Sequence, residues 1–543
     1  MRKGRALSLI AVPVAASLVL TACGGGGNSS GNSNETTEVS IFGTEPENPL
    51  VPGNTTETGG GKVVQSIFTG LVTYTNTFEV KNAMAESIEL TKPDQYTIKL
   101  KQGWKFHDGT PVKAENFVKA WNYTAYSPNG QQSASFFEQI KGFRDVNTVD
   151  PDGTDGPQKA PEPKAKEMSG LKVVDDTTFT VDFTEPHVIF KVKLGYSAYM
   201  PLPDKFFTDQ KGYEAAPIGN GPWKFISRTP KQDIKLERYE DYKGDDKPKI
   251  KKVKVAIYTG TEAAYAAVKG NQLDFLDTIP PSGLAGNLWK TDLKDRSKSQ
   301  AGLIIQILNF PLYDPKYQNK DFRQAISMAI NRKEITEKIF EGNRKPTSGY
   351  AVEGTTGWQP GACGELCEHN PAKAKELFDK SGFKGKLEIT SNADGGHKEW
   401  IEAACGQIKS ALNLECTFAP VATFGEIRKK INAHEMTQVY RGGWIADYPS
   451  VESFLNPLYR TGGSSNDGGY SSPAVDAKLA EADRAPTEAE SYKLYHEAEK
   501  LIAQDMPAIP LWNTTSQFGW STKLKNVQMN AYRELDLSTV EVA

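Results

Sequence analysis

The apolar positions of this chain fall into two rhythms. In some stretches they alternate with polar residues, and in others they recur every three or four residues, so strands and helices are expected to interleave. Tyr96, Ile98 and Leu100 alternate with polar neighbours. Val253, Val255 and Ile257 do the same, and both runs predict half-buried strands. Further strands are expected over 38–42, 171–183, 303–310 and 387–390. The helical rhythm appears over 62–68, where Val63, Val64, Ile67 and Phe68 share a face. It returns from Ala114, with Phe117, Val118 and Trp121 inward, and over 321–332, with Phe322, Ala325, Ile326, Ala329 and Ile330 inward. Thr261 is expected to cap a helix reaching Val268. Asn370 followed by Pro371, with Gly382 beyond, brackets another helix. A helix is also expected from the 395–398 turn to Leu412. Ser472-Pro473 and Thr487 open the last two, and Leu494, Leu501 and Ile502 are expected to face inward in the second. Strand, helix, strand in succession is α/β order.

At 543 residues the chain is too long for one ordinary core, so two or three domains are expected. Charged residues make up 24% and apolar ones 38%, the balance of a soluble globular protein. The net charge of -3 becomes more acidic once Arg2, Lys3 and Arg5 are set aside, and no basic stripe is visible, so nucleic acid is not an expected partner. Those three cations precede an apolar run over 6–20 that is too short for a stable membrane span. The run ends in Leu20-Thr21-Ala22-Cys23. Residues 24–34 are rich in Gly, Ser and Asn, the composition of a flexible tether. Residues 147–168, rich in Pro, Asp and Lys, read as an exposed insertion. Beyond Cys23 four cysteines remain: Cys363, Cys367, Cys405 and Cys416. In an exported protein an even number points to disulfides, with three pairings open. A metal site is the weaker alternative, because C-x-x-x-C has no nearby His pair, and no metal or cofactor is expected.

The stretch 438–455, QVYRGGWIADYPSVESFL, carries the most chemistry. Val439 and Tyr440 favour a strand, Gly442 and Gly443 permit another backbone to come close, and Pro449 ends the regular structure. Arg441 can take a carboxylate and Asp447 an ammonium. The Gly-flanked backbone between them can hydrogen-bond an extended chain, and Trp444 and Ile445 add apolar surface. The plainer alternative is that Asp447 caps a turn and Arg441 forms a surface ion pair. Enzymatic signatures are missing. None of the six histidines forms H-E-x-x-H, and neither a G-x-S-x-G elbow nor a G-x-x-x-x-G-K-[ST] phosphate loop occurs.

This stretch resembles the ligand-facing segment of bacterial oligopeptide-binding proteins, members of extracellular solute-binding protein family 5 and receptors of peptide ABC importers. Further segments resemble the same family in order. They are GWKFHDGTPV at 103–112, IGNGPW at 218–223, GNQLD at 270–274, DFRQAISMAINR at 321–332 and MPAIPLW at 506–512. Lys113 and Asn116 depart from the family's usual helix start. The 20–23 segment resembles a bacterial lipobox, whose cysteine, here Cys23, is lipidated and becomes the first mature residue. The resemblance implies a two-lobed, periplasmic-binding-protein-like α/β fold of the class with an extra domain, hinged between lobes. It divides the chain into a signal peptide (1–22), a lipidated tether (23–37), domain I (38–71, 189–280 and 506–543), domain II (72–188) and domain III (281–505). It implies a monomeric lipoprotein on the outer face of the cytoplasmic membrane that passes peptides to the permease subunits of an ABC importer and is not an enzyme. Asp447 would hold the peptide amine, and Arg441 or His397 the carboxylate. Trp444, Gly443 and Ile445 would line the ligand, and the loop containing Thr56, Glu57 and Thr58 would pair with its backbone. Within the family an oligosaccharide or another non-peptide solute is the alternative; outside it, an exported peptidase is.

Overall fold

The computed structural model describes residues 38–149 and 159–543. The leader, Cys23 and the tether expected over 1–37 lie outside the described residues. Most strands join one mixed sheet of eleven. One half holds Glu38–Gly43 between Lys252–Ile257 and Phe275–Leu276, with Asp233–Arg238 and Trp223–Thr229 beyond. The other half holds Val439–Ile445 beside Leu387–Asn392 and Cys416–Val421. Two thirteen-residue strands, Ser297–Asn309 and Ala508–Trp520, run antiparallel through the middle and belong to both halves. At one end Ala508–Trp520 pairs with Leu308 and Asn309; at the other, Trp520 pairs with Phe275. Their register shifts between Ala301 and Ile305, around Gly302. The strand expected over 303–310 therefore starts earlier, because 297–301 finds partners in 515–519.

A separate four-stranded antiparallel sheet is built from Ala85–Lys92, Gln95–Leu100, Thr178–Asp182 and Leu171–Asp175. The helix Ala114–Ala125 packs on it through Phe117 and Trp121, both in contact with Phe179. That helix start is sound despite its unusual residues, because the Asn116 side chain accepts from the Lys113 N–H at 2.8 Å. His107 is packed into the adjoining turn. Its Nδ1 accepts from Gly219 at 3.2 Å, its Nε2 lies 3.0 Å from the Gly221 carbonyl, and burial pulls its pKa down to about 4.

Buried charges tie distant segments together. Asp274 accepts from the Ser40 N–H (2.8 Å), the Ser521 hydroxyl (2.9 Å) and Lys523 Nζ (3.0 Å), joining the first strand to the last segment. Arg323 and Arg332 are buried and, among the described residues, have no carboxylate partner. Arg323 donates to the carbonyls of Tyr317 (2.7 Å) and Met506 (2.9 Å), and Arg332 to those of Pro510 (2.7 Å), Ser327 (3.0 Å) and Cys367 (3.0 Å). Cys363 is bonded to Cys367, and Cys405 to Cys416.

Four local expectations need correction. The helix expected over 321–332 is two helices, Lys320–Ala329 and Arg332–Lys338, because Ile330 is extended and Asn331 caps the second through the Glu334 N–H. Thr261 is the first helical residue, with Gly260 at the cap position. Leu501 is exposed; Tyr495, Ala498 and Ile502 carry the buried face of Glu488–Asp505. The helix expected from Lys62 is Thr58–Ile67.

Candidate functional site

Where the sheet passes from one half to the other, several separated segments line an open cavity of about 480 Å³. The first half contributes Thr55 to Thr58, Lys62, Tyr196 and Asp277; the second contributes Leu303 and Trp444 to Pro449; the C-terminal segment contributes Ala531 to Glu534. The volume is in the range of small-molecule sites.

Thr56, Glu57 and Thr58 reach this cavity, but not as one loop. The Glu57 carboxylate accepts from the N–H groups of Gly59 (2.6 Å) and Gly60 (2.7 Å). Its capping starts the helix at Thr58, inside what reads as a glycine-rich loop. Glu57 is thus occupied as a cap, and Thr58 is helical. Lys62, one turn on, is buried: its Nζ donates to the Phe42 carbonyl at 2.5 Å and pairs with Asp277.

The opposite wall is the end of Val439–Ile445. This strand pairs antiparallel with Ser297–Asn309 as far as Ile445, opposite Ile304, and the Ala446 N–H continues the pattern to the Leu303 carbonyl at 3.0 Å. Its other edge meets Leu387–Asn392 only at Val439 and Tyr440. Antiparallel pairs alternate, so the backbone groups of Arg441, Gly443 and Ile445 face that second edge. Among the described residues no strand lies against them there. The glycines admit a close neighbour, as their type suggested. A Cβ on Gly442 would sit 2.4 Å from the Asn309 amide nitrogen, and one on Gly443 would sit 3.0 Å from the Ile305 carbonyl. Trp444 is half-buried with its indole N–H unpartnered, and Ile445 is 48% exposed.

The strand stops because the Asp447 N–H turns away to the Ser453 hydroxyl (3.1 Å) and Pro449 has no N–H to give. The Asp447 carboxylate lines the cavity with no hydrogen bond or ion pair from the described residues. Burial, with the neighbouring Glu452 charge, pushes it up to about 7, against the pull of Lys193. Lys193 is committed elsewhere. It pairs with Glu452 at 3.2 Å, both buried, and Glu452 also accepts from the Tyr448 hydroxyl. A second carboxyl in the cavity, Glu534, is raised to about 7 by burial and by Asp277, against Lys62 and a bond from Asn530.

Arg441, Gly443 and His397 lie outside the cavity lining. Among the described residues Arg441 has no ion-pair partner. Its Nη2 donates to Gln306 at 3.4 Å, its buried Nε has no partner, and burial holds its pKa down to about 10. His397 Nδ1 accepts from the Trp400 indole at 3.2 Å. Lys62, Asp277, Arg533 and Glu534 were not legible as site residues. Only Lys62 gave a signal, as a lysine at the head of an apolar helical face.

A profile of the bacterial extracellular solute-binding proteins, family 5 middle region, matches residues 79–466, more than half of the chain. The chain belongs to this family. Among its relatives are the oligopeptide-binding protein OppA of Bacillus subtilis, 24% identical over 96% of each chain, and the dipeptide-binding protein DppE of the same organism, 27% identical over 83% of this chain and 81% of the relative. Among solved structures, the ABC transporter substrate-binding protein CtaP of Listeria monocytogenes matches 94% of this chain and 99% of its own with a TM-score of 0.78 at 20% identity. The murein tripeptide-binding protein MppA of Escherichia coli matches 93% and 98% with a TM-score of 0.75 at 21% identity. These likenesses establish the two-lobed α/β solute-binding fold. Family members bind solutes and are described as extracellular. Among the described residues no helix is long and apolar enough to cross a membrane.

Proposed function

We propose that this protein captures peptides outside the cell and delivers them to the permease of an ABC importer, held at the membrane by a lipid on Cys23. The observation that carries the peptide reading is Asp447. Among the described residues it is a largely buried carboxylate with no paired cation, at the end of a strand whose outer edge is open at Arg441, Gly443 and Ile445. An extended ligand laid along that edge would gain main-chain hydrogen bonds that ignore its side chains, and Asp447 would take its amine. Arg441, on the same strand, would take its carboxylate. Thr56 and Thr58 would face it from the other wall, Trp444 and Ile445 would flank its side chains, and Glu57 would hold the wall in place. His397, bound to Trp400, is left to meet only longer ligands. The three-domain division, with 38–71, 189–280 and 506–543 as one unit, 72–188 as a second and 281–505 as a third, would have the chain cross between lobes at 280/281 and 505/506, and closure about those crossings would exclude water from these ion pairs. In this reading the protein acts by binding, as a monomer, without a cofactor.

The test is calorimetric titration with a tripeptide and with its N-acetylated counterpart. Binding of the free amine and at least a hundredfold loss on acetylation is the expected result. Equal affinity for the two would remove the amine anchor and favour a solute without an amine, such as an oligosaccharide. Mass spectrometry of the same mixtures would expose a peptidase by its cleavage products.

A further inference from the structure

Three arginines far apart in sequence meet on one face of the central strands. Trp512, Thr514 and Ser516 alternate onto that face. Arg344 lies opposite Thr514 and donates to the Asn343 (3.0 Å) and Thr515 (3.3 Å) carbonyls. Arg533 donates to the Ser516 hydroxyl at 2.8 Å and also lines the cavity that holds Asp447. Gln306, opposite Trp512 on one side and Gly443 on the other, receives Arg441.

The hydrogen bonds these three guanidiniums make go to neutral acceptors, and none has a carboxylate within 4.0 Å among the described residues. Burial holds Arg344 down to about 10, and the charges of Arg533 and Arg441 push it the same way. Arg533 is lowered by burial, and the acid that acts on it, Asp277, is already paired with Lys62. Like charges gathered in a partly buried setting repel and favour a counter-charge. One terminal carboxylate answers one of the three.

Resting on the peptide reading above, we propose that Arg344, Arg441 and Arg533 form an anion subsite that selects short peptides carrying an acidic side chain in addition to the C-terminal carboxylate. The second carboxylate would lie against Arg344 and Arg533, whose forks match carboxylate geometry. A basic side chain there would add a fourth cation.

Titration calorimetry with Ala-Glu-Ala, Ala-Ala-Ala and Ala-Lys-Ala tests this. The expected order is Glu, then Ala, then Lys, with at least tenfold between the first two. In Arg344→Gln and Arg533→Gln, each checked for folding by circular dichroism, the Glu-to-Ala ratio of affinities should fall towards one. Equal affinity for Ala-Glu-Ala and Ala-Ala-Ala in the unaltered protein would overturn the subsite while leaving the peptide reading standing, as would a ratio that both variants preserve. Failure of all three peptides to bind would overturn both.

Discussion

Asp447→Asn should separate binding from stability in opposite directions. The substitution keeps the shape of the side chain and removes its charge. Among the described residues that charge has no partner cation, and burial with the Glu452 charge raises the carboxyl to about 7. A folded-state pKa above the unfolded value means that ionisation opposes folding. The carboxyl's contribution is most favourable below about pH 4 and is lost as pH rises through 7. Holding a carboxyl at about 7 rather than at its ordinary value of about 4 disfavours the anion by at most about 4 kcal/mol, and about 2–4 kcal/mol is reasonable for a group in contact with the cavity. At pH 8 the ligand-free variant should therefore be more stable by that amount, read as a higher urea midpoint at unchanged slope. Binding should move the other way. A peptide ammonium buried against a neutral amide loses its counter-charge, a cost of about 3–5 kcal/mol. That is more than a hundredfold in Kd, read by calorimetry with an unblocked tripeptide. A variant that binds this peptide like the parent refutes the anchor, and one that is destabilised at pH 8 refutes the claim that the charge is held against its preference.

The same carboxyl predicts a pH profile. Affinity for a free-amine peptide should weaken by about tenfold for each pH unit below 7, because Asp447 must give up a proton to bind, and the slope should vanish in Asp447→Asn. Removing the Cys405–Cys416 link by paired Ser substitutions frees an eleven-residue separation and should cost about 2–3 kcal/mol in urea unfolding. Arg332→Met strips donors from the Pro510, Ser327 and Cys367 carbonyls and should cost several kcal/mol, on the order of 3–5, by the same assay. Cys23→Ser should move the protein from the membrane fraction to the soluble one; retention at the membrane would count against the lipid anchor.

Legibility followed the range of the interactions. Tyr96, Ile98 and Leu100, or Phe322, Ala325 and Ile326, announce their elements because burial imposes a period on neighbours in sequence. Asp447 was legible as a candidate for a related reason: the strand, the glycines and the carboxylate at its end are consecutive. Glu57 was half legible. The polar run around it is plain, but only its two bonds to the Gly59 and Gly60 N–H groups turn three glycines into the first turn of a helix. The facing wall had no such signature. Lys62, Asp277, Arg533 and Glu534 come from three separate stretches of chain, and each is unremarkable among its own neighbours. What makes them a site is the pairing of Ala508–Trp520 with both halves of the sheet, which delivers the C-terminal segment to the cavity.

The same pairing explains why the grouping of the arginines could not be anticipated. Arg441 stood out in the sequence as a possible carboxylate partner, but nothing in the sequence linked Arg344 or Arg533 to it. Arg323 and Arg332 show that this chain also satisfies buried guanidiniums with carbonyls, as structural pins. Arg344, Arg441 and Arg533 differ from those pins in one respect that only the fold reveals. The charges of Arg533 and Arg441 push Arg344 down, and Arg533 opens onto the cavity. A guanidinium that locks backbone ends gains from isolation, because its carbonyl partners carry no net charge to oppose a neighbour. In the proposed subsite, three set together would cost the empty protein stability, and an arriving anion would offset that cost. On this proposal the cation-seeking Asp447 at the end of the strand and the anion-seeking arginines on the central strands would be the same device with opposite sign, and a short acidic peptide would satisfy both in one extended conformation.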